Sequence, residues 1–284
     1  MTVPDPEAYR RAAHDQWSRS AAGWGRRADD IRTWALPVSQ AMIDGVELQP
    51  GETVVELAAG PAETGLLAAE MVAPGGRVLI SDLAEEMLDV ARARAERQGV
   101  ENAEFRRLDL EAIEIGAGLV DVVLVRWGVM LVADPAAAAR EIRRILKPGG
   151  RAAVAVWDLP ERNPWATIPT EELVEQGIAP ARDPDQPGMF SLAAPGRLES
   201  VLQDAGFVEV DVEAVDVTRR HETADAYLDA TLDLSRPLAD FMEHAEPAQA
   251  ASVTDGIKRR VAAFAGPGGD IVLPGRSLVA RASA

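Results

Sequence analysis

The stretch Thr53-Val-Val-Glu-Leu-Ala-Ala-Gly-Pro-Ala-Glu-Thr-Gly65 decides the fold. Thr53 to Ala58 is an apolar, β-branched run of strand length, Gly60 and Pro61 make a turn, and Glu63 to Val72 is helical until Pro74, Gly75 and Gly76 stop it. A short buried strand turning directly into a helix opens a β-α-β unit. The rhythm continues downstream. Arg77 to Ser81 (RVLIS) leads into Asp82, Ala84 to Gln98 form an amphipathic helix closed by Gly99, and Ala103 to Leu108 form a third strand ending at Asp109. Val120 to Val125 (VDVVLV) is almost wholly apolar, as a strand covered on both faces should be. Asp134-Pro135 caps a helix that stops at Lys147-Pro148-Gly149-Gly150, and Ala152 to Trp157 supply a fifth strand.

This alternation predicts an α/β fold, Rossmann-like and doubly wound, with a mostly parallel seven-stranded sheet and an added helical cap. Residues 159–196 break the pattern with seven prolines and read as an irregular, Pro-rich lid insert over a pocket. Leu198 to Ala205 read as a helix, Phe207 to Val217 as an alternating strand, Ala224 to Ala265 as mainly helical and Ile271 to Ala280 as a last strand. The expected divisions are an N-terminal helical cap segment (1–45), a cofactor-binding core (46–158), the insert (159–196), and a C-terminal part completing the sheet around a helical insertion (197–284).

The chain has 284 residues and a net charge of −17, with 47% hydrophobic residues, so it is long and apolar enough for a sizeable core. The negative field repels phosphate backbones and argues against a nucleic acid partner. With no cysteine, thiolate metal sites and cysteine nucleophiles are excluded. No apolar run reaches membrane-span length, and the polar start MTVPDPEAYRRAAHDQWSRS is unlike a secretory signal, which leaves the cytoplasm as the expected location.

Parallel sheets bind ligands outside the carboxyl ends of their strands. Asp82 lies 22 residues after Gly60, which puts a carboxylate where it can accept from both hydroxyls of an adenosine ribose. A dinucleotide fingerprint would need a middle glycine so that the backbone can approach the pyrophosphate. Here that position is Ala62, followed by the negative Glu63. A nucleoside cofactor without phosphate fits better, which points to S-adenosylmethionine rather than NAD or FAD.

Taken together, VVELAAGPA (54–62), Ser81-Asp82-Leu83 with Glu86-Met87-Leu88, Leu108-Asp109-Leu110, and the run from Asp121 to Gly150 resemble the class I S-adenosylmethionine-dependent methyltransferases, in the branch of ubiquinone and menaquinone biosynthesis. The resemblance is strong over about residues 50–158. It implies that Glu56, Ala58 and Gly60 line the methionine end of the cofactor, that Asp82 holds the ribose, and that Leu83 and Met87 pack beside it. It further implies that Asp109 and Leu110 meet the adenine, and that Arg126 and Trp127 lie near the methionine or the substrate. The family commonly has glycine where this chain has Ala58 and Ala62.

Trp17 and Trp24, seven apart, share a helical face and are candidates for the substrate pocket with Trp127. His14 in the same segment is the candidate general base, and no metal is expected. The reading is methyl transfer from S-adenosylmethionine to O, N or C of a small-molecule acceptor, with no membrane span; a homodimer is compatible with the sequence. The alternatives are a donor-binding protein acting as a cyclase or binding module, an RNA or protein methyltransferase, and a dehydrogenase.

Overall fold

The computed structural model describes residues 5–184 and 186–284, so residues 1–4 of the expected cap segment and residue 185 of the expected insert lie outside the described residues. Two helices lead: α1 (Pro6–Arg26), capped by the Asp5 side chain, and α2 (Ala28–Val46). There follow β1 (Thr53–Leu57), α3 (Glu63–Met71), β2 (Arg77–Asp82), α4 (Glu85–Gln98), β3 (Ala103–Arg107), β4 (Val120–Arg126), α5 (Pro135–Ile145) and β5 (Leu146–Trp157). The remainder is α6 (Pro164–Glu175), α7 (Arg197–Asp204), β6 (Val208–His221), α8 (Ala224–Leu234), α9 (Arg236–His244), α10 (Pro247–Val261) and β7 (Ile271–Ser283).

The strands form one seven-stranded sheet in the order β3-β2-β1-β4-β5-β7-β6. β1 to β5 run parallel, and β7 is antiparallel to both its neighbours. The expected doubly wound, mostly parallel sheet is therefore present. The strand order reverses between β1 and β4, and at this switch point the carboxyl ends of both strands open a crevice. The apolar runs account for the burial: Val54, Val55, Val122, Val123, Leu124 and Val125 are almost wholly inaccessible, covered on both faces.

Three expectations are corrected. Lys147 to Gly150 were to separate α5 from β5, but they belong to β5: Val120 pairs with Leu146 and Val122 with Arg151, so the extra residues bulge out of the ladder at Gly149 (φ +76°). β6 was to end at Val217, yet β6 and β7 pair from Val208↔Ser283 to His221↔Ile271, a ribbon extending beyond the rest of the sheet. The insert was to be irregular, but it contains the twelve-residue helix α6, with Pro164 in its first turn, where the missing N–H costs nothing, and Pro169 inside it. Pro169 withholds the hydrogen bond that the Trp165 carbonyl would receive, and the Tyr227 hydroxyl of α8 donates to that carbonyl instead, at 2.7 Å.

Candidate functional site

The turn after β1 is built from residues in left-handed conformations: Ala58 (φ +51°), Gly60 (φ +53°) and Ala62 (φ +64°). Glycine adopts this region freely and alanine only with strain, which is a physical reason for glycine to be common at the first and last of these positions. The turn directs the Gly60 amide at the Asp82 carboxylate at the tip of β2, where Oδ2 accepts at 2.8 Å and Oδ1 accepts from the Ala84 amide at 3.0 Å. Burial raises the Asp82 pKa, and the amides of Ala84, Gly60 and Leu83 pull it back. An ionised carboxylate offers about four acceptor sites, so acceptor capacity is left over on Asp82.

Behind the turn lies a buried charge network. Arg126, at the end of β4, donates from Nη2 to Glu63 Oε2 at 2.6 Å and from Nη1 to Ser39 Oγ at 3.2 Å, and its guanidinium lies 4.8 Å from the Trp127 ring. Glu63 Oε1 in turn faces Arg94 Nη2 at 3.6 Å. Arg126 therefore has a protein carboxylate as its partner. Glu56 is buried beside them with Oε2 unpartnered; burial pushes its pKa up to about 8 against the pull of the Arg126 charge.

In front of the turn, along the carboxyl edge of the sheet, is a cavity of about 1080 Å³. That reaches the upper end of the ~300–1,000 Å³ usual for small-molecule sites, and leaves room for a nucleoside plus a second ligand. Ala58, Gly60, Asp82, Leu83, Met87, Asp109, Leu110, Arg126 and Trp127 all line it, as do Trp17 and Trp24. Glu56 and His14 do not; the His14 Nδ1 lies 3.2 Å from Asp15 Oδ1. Asp109 spends Oδ1 on the Glu111 amide at 2.8 Å and has the Arg10 Nε at 3.6 Å from Oδ2.

The helix α1 straps this edge. Near its start, Arg10 forms a two-pronged pair with Glu111 (3.1 and 3.2 Å) and the Tyr9 hydroxyl donates to the Leu131 carbonyl at 2.8 Å. At its other end Arg26 and Arg27 both pair with Asp233 of α8, and Gly23 brings the backbones of α1 and α8 together, where a Cβ would lie 2.9 Å from the Asp233 carbonyl carbon. Trp17, Trp24, Ala21, Ala84 and Met87 pack as one cluster beside Asp82.

At the far end the cavity becomes a chamber of aromatic rings. Trp127 stacks on Trp157 at 4.2 Å and on Trp34 at 5.4 Å, and Trp165 meets Trp157 edge-on at 4.9 Å. Trp127 has a left-handed backbone (φ +61°) and is pinned by the chain Trp127 Nε1 to Ser277 Oγ (3.0 Å) to the Val156 carbonyl (2.7 Å). All six tryptophans of the chain line the one cavity. Sequence reasoning missed Trp34, Trp157, Trp165 and Arg219 as lining residues. Trp157 carried the clearest signal, since it ends a parallel strand.

Fold and cavity define an α/β protein with a ligand site at the carboxyl edge of its sheet. Residues 32–164 match the ubiE/COQ5 methyltransferase family. The chain is 31% identical over 241 residues to nocamycin O-methyltransferase of Saccharothrix syringae, covering 82% of this chain and 85% of that one. It is 29% identical over 179 residues to the ubiquinone/menaquinone biosynthesis C-methyltransferase UbiE of Klebsiella pneumoniae, covering 60% and 71%. Among solved structures, the YcgJ protein from Bacillus subtilis superposes with a TM-score of 0.56 at 17% identity, covering 86% and 97%. The chain belongs to the S-adenosylmethionine-dependent methyltransferases, and S-adenosylmethionine is its methyl donor.

Proposed function

We propose that the chain methylates a small, largely apolar acceptor of aromatic size, seated in the tryptophan chamber, with the donor bound at the Asp82 end. The observation that carries this reading is the single cavity, with a carboxylate that keeps spare acceptor capacity at one end and stacked indoles at the other. That spare capacity suits the hydroxyls of a ribose. Leu83, Met87 and Leu110 line the cavity and would offer apolar surface for the adenine, the backbone from Ala58 to Gly60 would run beside the methionine, and Asp109 would stand at the adenine edge. Names of relatives point the same way, since one is called for nocamycin and another for quinone biosynthesis.

S-adenosylmethionine supplies an already activated methyl group on a sulfonium. The protein's residues have to align an acceptor atom with it and keep water out. The rings of Trp34, Trp127, Trp157 and Trp165 do both, as a rigid apolar wall. A base is required only where the acceptor must lose a proton during attack. Tyr9 is unsuited to that role, because burial raises its pKa and its hydroxyl is spent on the Leu131 carbonyl. In this reading residues 5–45, the described residues of the insert (159–184 and 186–196) and α8 and α9 form the cap, and they supply the acceptor's specificity.

Incubation with radiolabelled S-adenosylmethionine and a panel of apolar aromatic acceptors tests the proposal. Transfer to at least one acceptor is expected, with Trp34→Ala raising the KM for that acceptor about tenfold or more, in keeping with the loss of a large buried aromatic. The affinity for S-adenosylhomocysteine should hardly change. Transfer that is indifferent to Trp34→Ala would remove the chamber from the acceptor site.

A further inference from the structure

Arg219 is a buried cation on the chamber wall that the proposed function leaves without a task. Trp157, the last residue of β5, pairs with Ser277, and Ser277 with Val215, so Arg219 stands four residues farther along β6. That is about 13 Å beyond the end of β5 at ~3.3 Å per residue. Alternation turns Val217 and Arg219 to the same inward face, and Arg219 is only 3% exposed. Its guanidinium carbon lies 4.5 Å from the Trp165 ring centre and 5.0 Å from that of Trp34.

The edge of the guanidinium is unspent. Nε has no hydrogen-bond partner, and no carboxylate of the described residues comes within 4.0 Å of the group. Of the other arginines lining the cavity, Arg10, Arg126 and Arg236 each sit against a carboxylate, Glu111, Glu63 and Asp240 respectively, and Arg182 packs over the Phe190 ring at 5.6 Å. Burial pushes the Arg219 pKa down only to about 10, so the group is charged at neutral pH. A desolvated cation with free in-plane donors is costly unless an anion completes it, and a planar fork matches a carboxylate in two-pronged geometry. One cation among indoles suits one carboxylate better than a doubly charged phosphate.

Resting on the reading of the chamber as the acceptor's seat, we infer that the acceptor carries a carboxylate on its apolar frame. Arg219 receives it edge-on, its plane held by Trp34 and Trp165. Arg219 is thus a specificity-determining residue.

Calorimetric titration of 2-naphthoate and its neutral isostere 2-naphthamide into the full chain, saturated with S-adenosylhomocysteine, tests this. The acid should bind about tenfold tighter than the amide. Arg219→Gln should abolish that preference while keeping the amide's affinity and that of S-adenosylhomocysteine, and Arg219→Lys should retain part of it. Equal affinities in the wild type, a test that needs no variant, would overturn the carboxylate inference but leave the chamber as acceptor site. A preference that survives Arg219→Gln would also overturn it, and if S-adenosylhomocysteine binding fell in that variant, Arg219 would belong to the donor. Failure of both probes to bind would overturn the inference and the chamber reading together.

Discussion

Asp82 acts through what its oxygens leave over: the amides of Gly60 and Ala84 fix the carboxylate and consume part of its capacity. Glu56, one strand away, is the opposite case, a buried carboxyl whose Oε2 the fold leaves without a hydrogen-bond partner. Its pKa is pushed from the usual carboxylate range up to about 8, chiefly by burial. Below the unfolded value both states are protonated and the contribution to stability is complete. As pH climbs toward 8 the unfolded chain releases the proton while the folded chain keeps it, so stability falls across that window. Glu56→Gln, which keeps the shape without the charge, should flatten the fall. Urea unfolding at pH 5 and pH 9 should show the wild type losing more than the variant by upwards of about 1 kcal/mol. Parallel losses would mean that Glu56 is ionised in the folded protein at neutral pH. The sequence marked Asp82 by its spacing from Gly60 and Glu56 by the family resemblance. It could not separate a lining carboxylate from one tucked behind the turn, because that depends on Glu63 and Arg126 arriving from other elements.

At the scale of elements, α6 shows how a local rule is overruled from a distance. Seven prolines argued for irregular chain between 159 and 196, and Pro169 sits in mid-helix all the same, because Tyr227 replaces the donor that proline lacks. Burial raises the Tyr227 pKa to about 12, so its hydroxyl stays a donor at any working pH. Tyr227→Phe should strand the Trp165 carbonyl in an apolar surround and cost about 1–3 kcal/mol in a urea melt. An unchanged midpoint would mean that another donor reaches the carbonyl. The strand tips of β1 and β2 were legible in the sequence because each motif is contiguous. The acceptor chamber was not: Trp34, Trp157, Trp165 and Arg219 come from α2, β5, α6 and β6, and their meeting is a product of packing. Arg219 did leave a trace, being in phase with Val215 and Val217 on the inward face of its strand, but an arginine near a strand end reads by default as exposed.

For the whole molecule, the fold followed from a strict alternation of strands and helices, and the sheet order puts the switch point between β1 and β4, directly beneath the cavity. No helix among the described residues is long and apolar enough to cross a membrane. The surplus of acid spares a few carboxylates for the site, yet the chamber keeps a buried cation with no carboxylate of the described residues within 4.0 Å, in a protein of net charge −17. In the proposed arrangement the donor's ribose rests on Asp82 and the acceptor rests on indole. The first half is the more directly measurable, by calorimetric titration of S-adenosylhomocysteine into the wild type and Asp82→Ala. One-to-one binding weakened by about 1–3 kcal/mol in the variant is the expected result, the usual effect of losing charge-assisted hydrogen bonds. An affinity unmoved by the substitution would contradict it and place the ribose elsewhere.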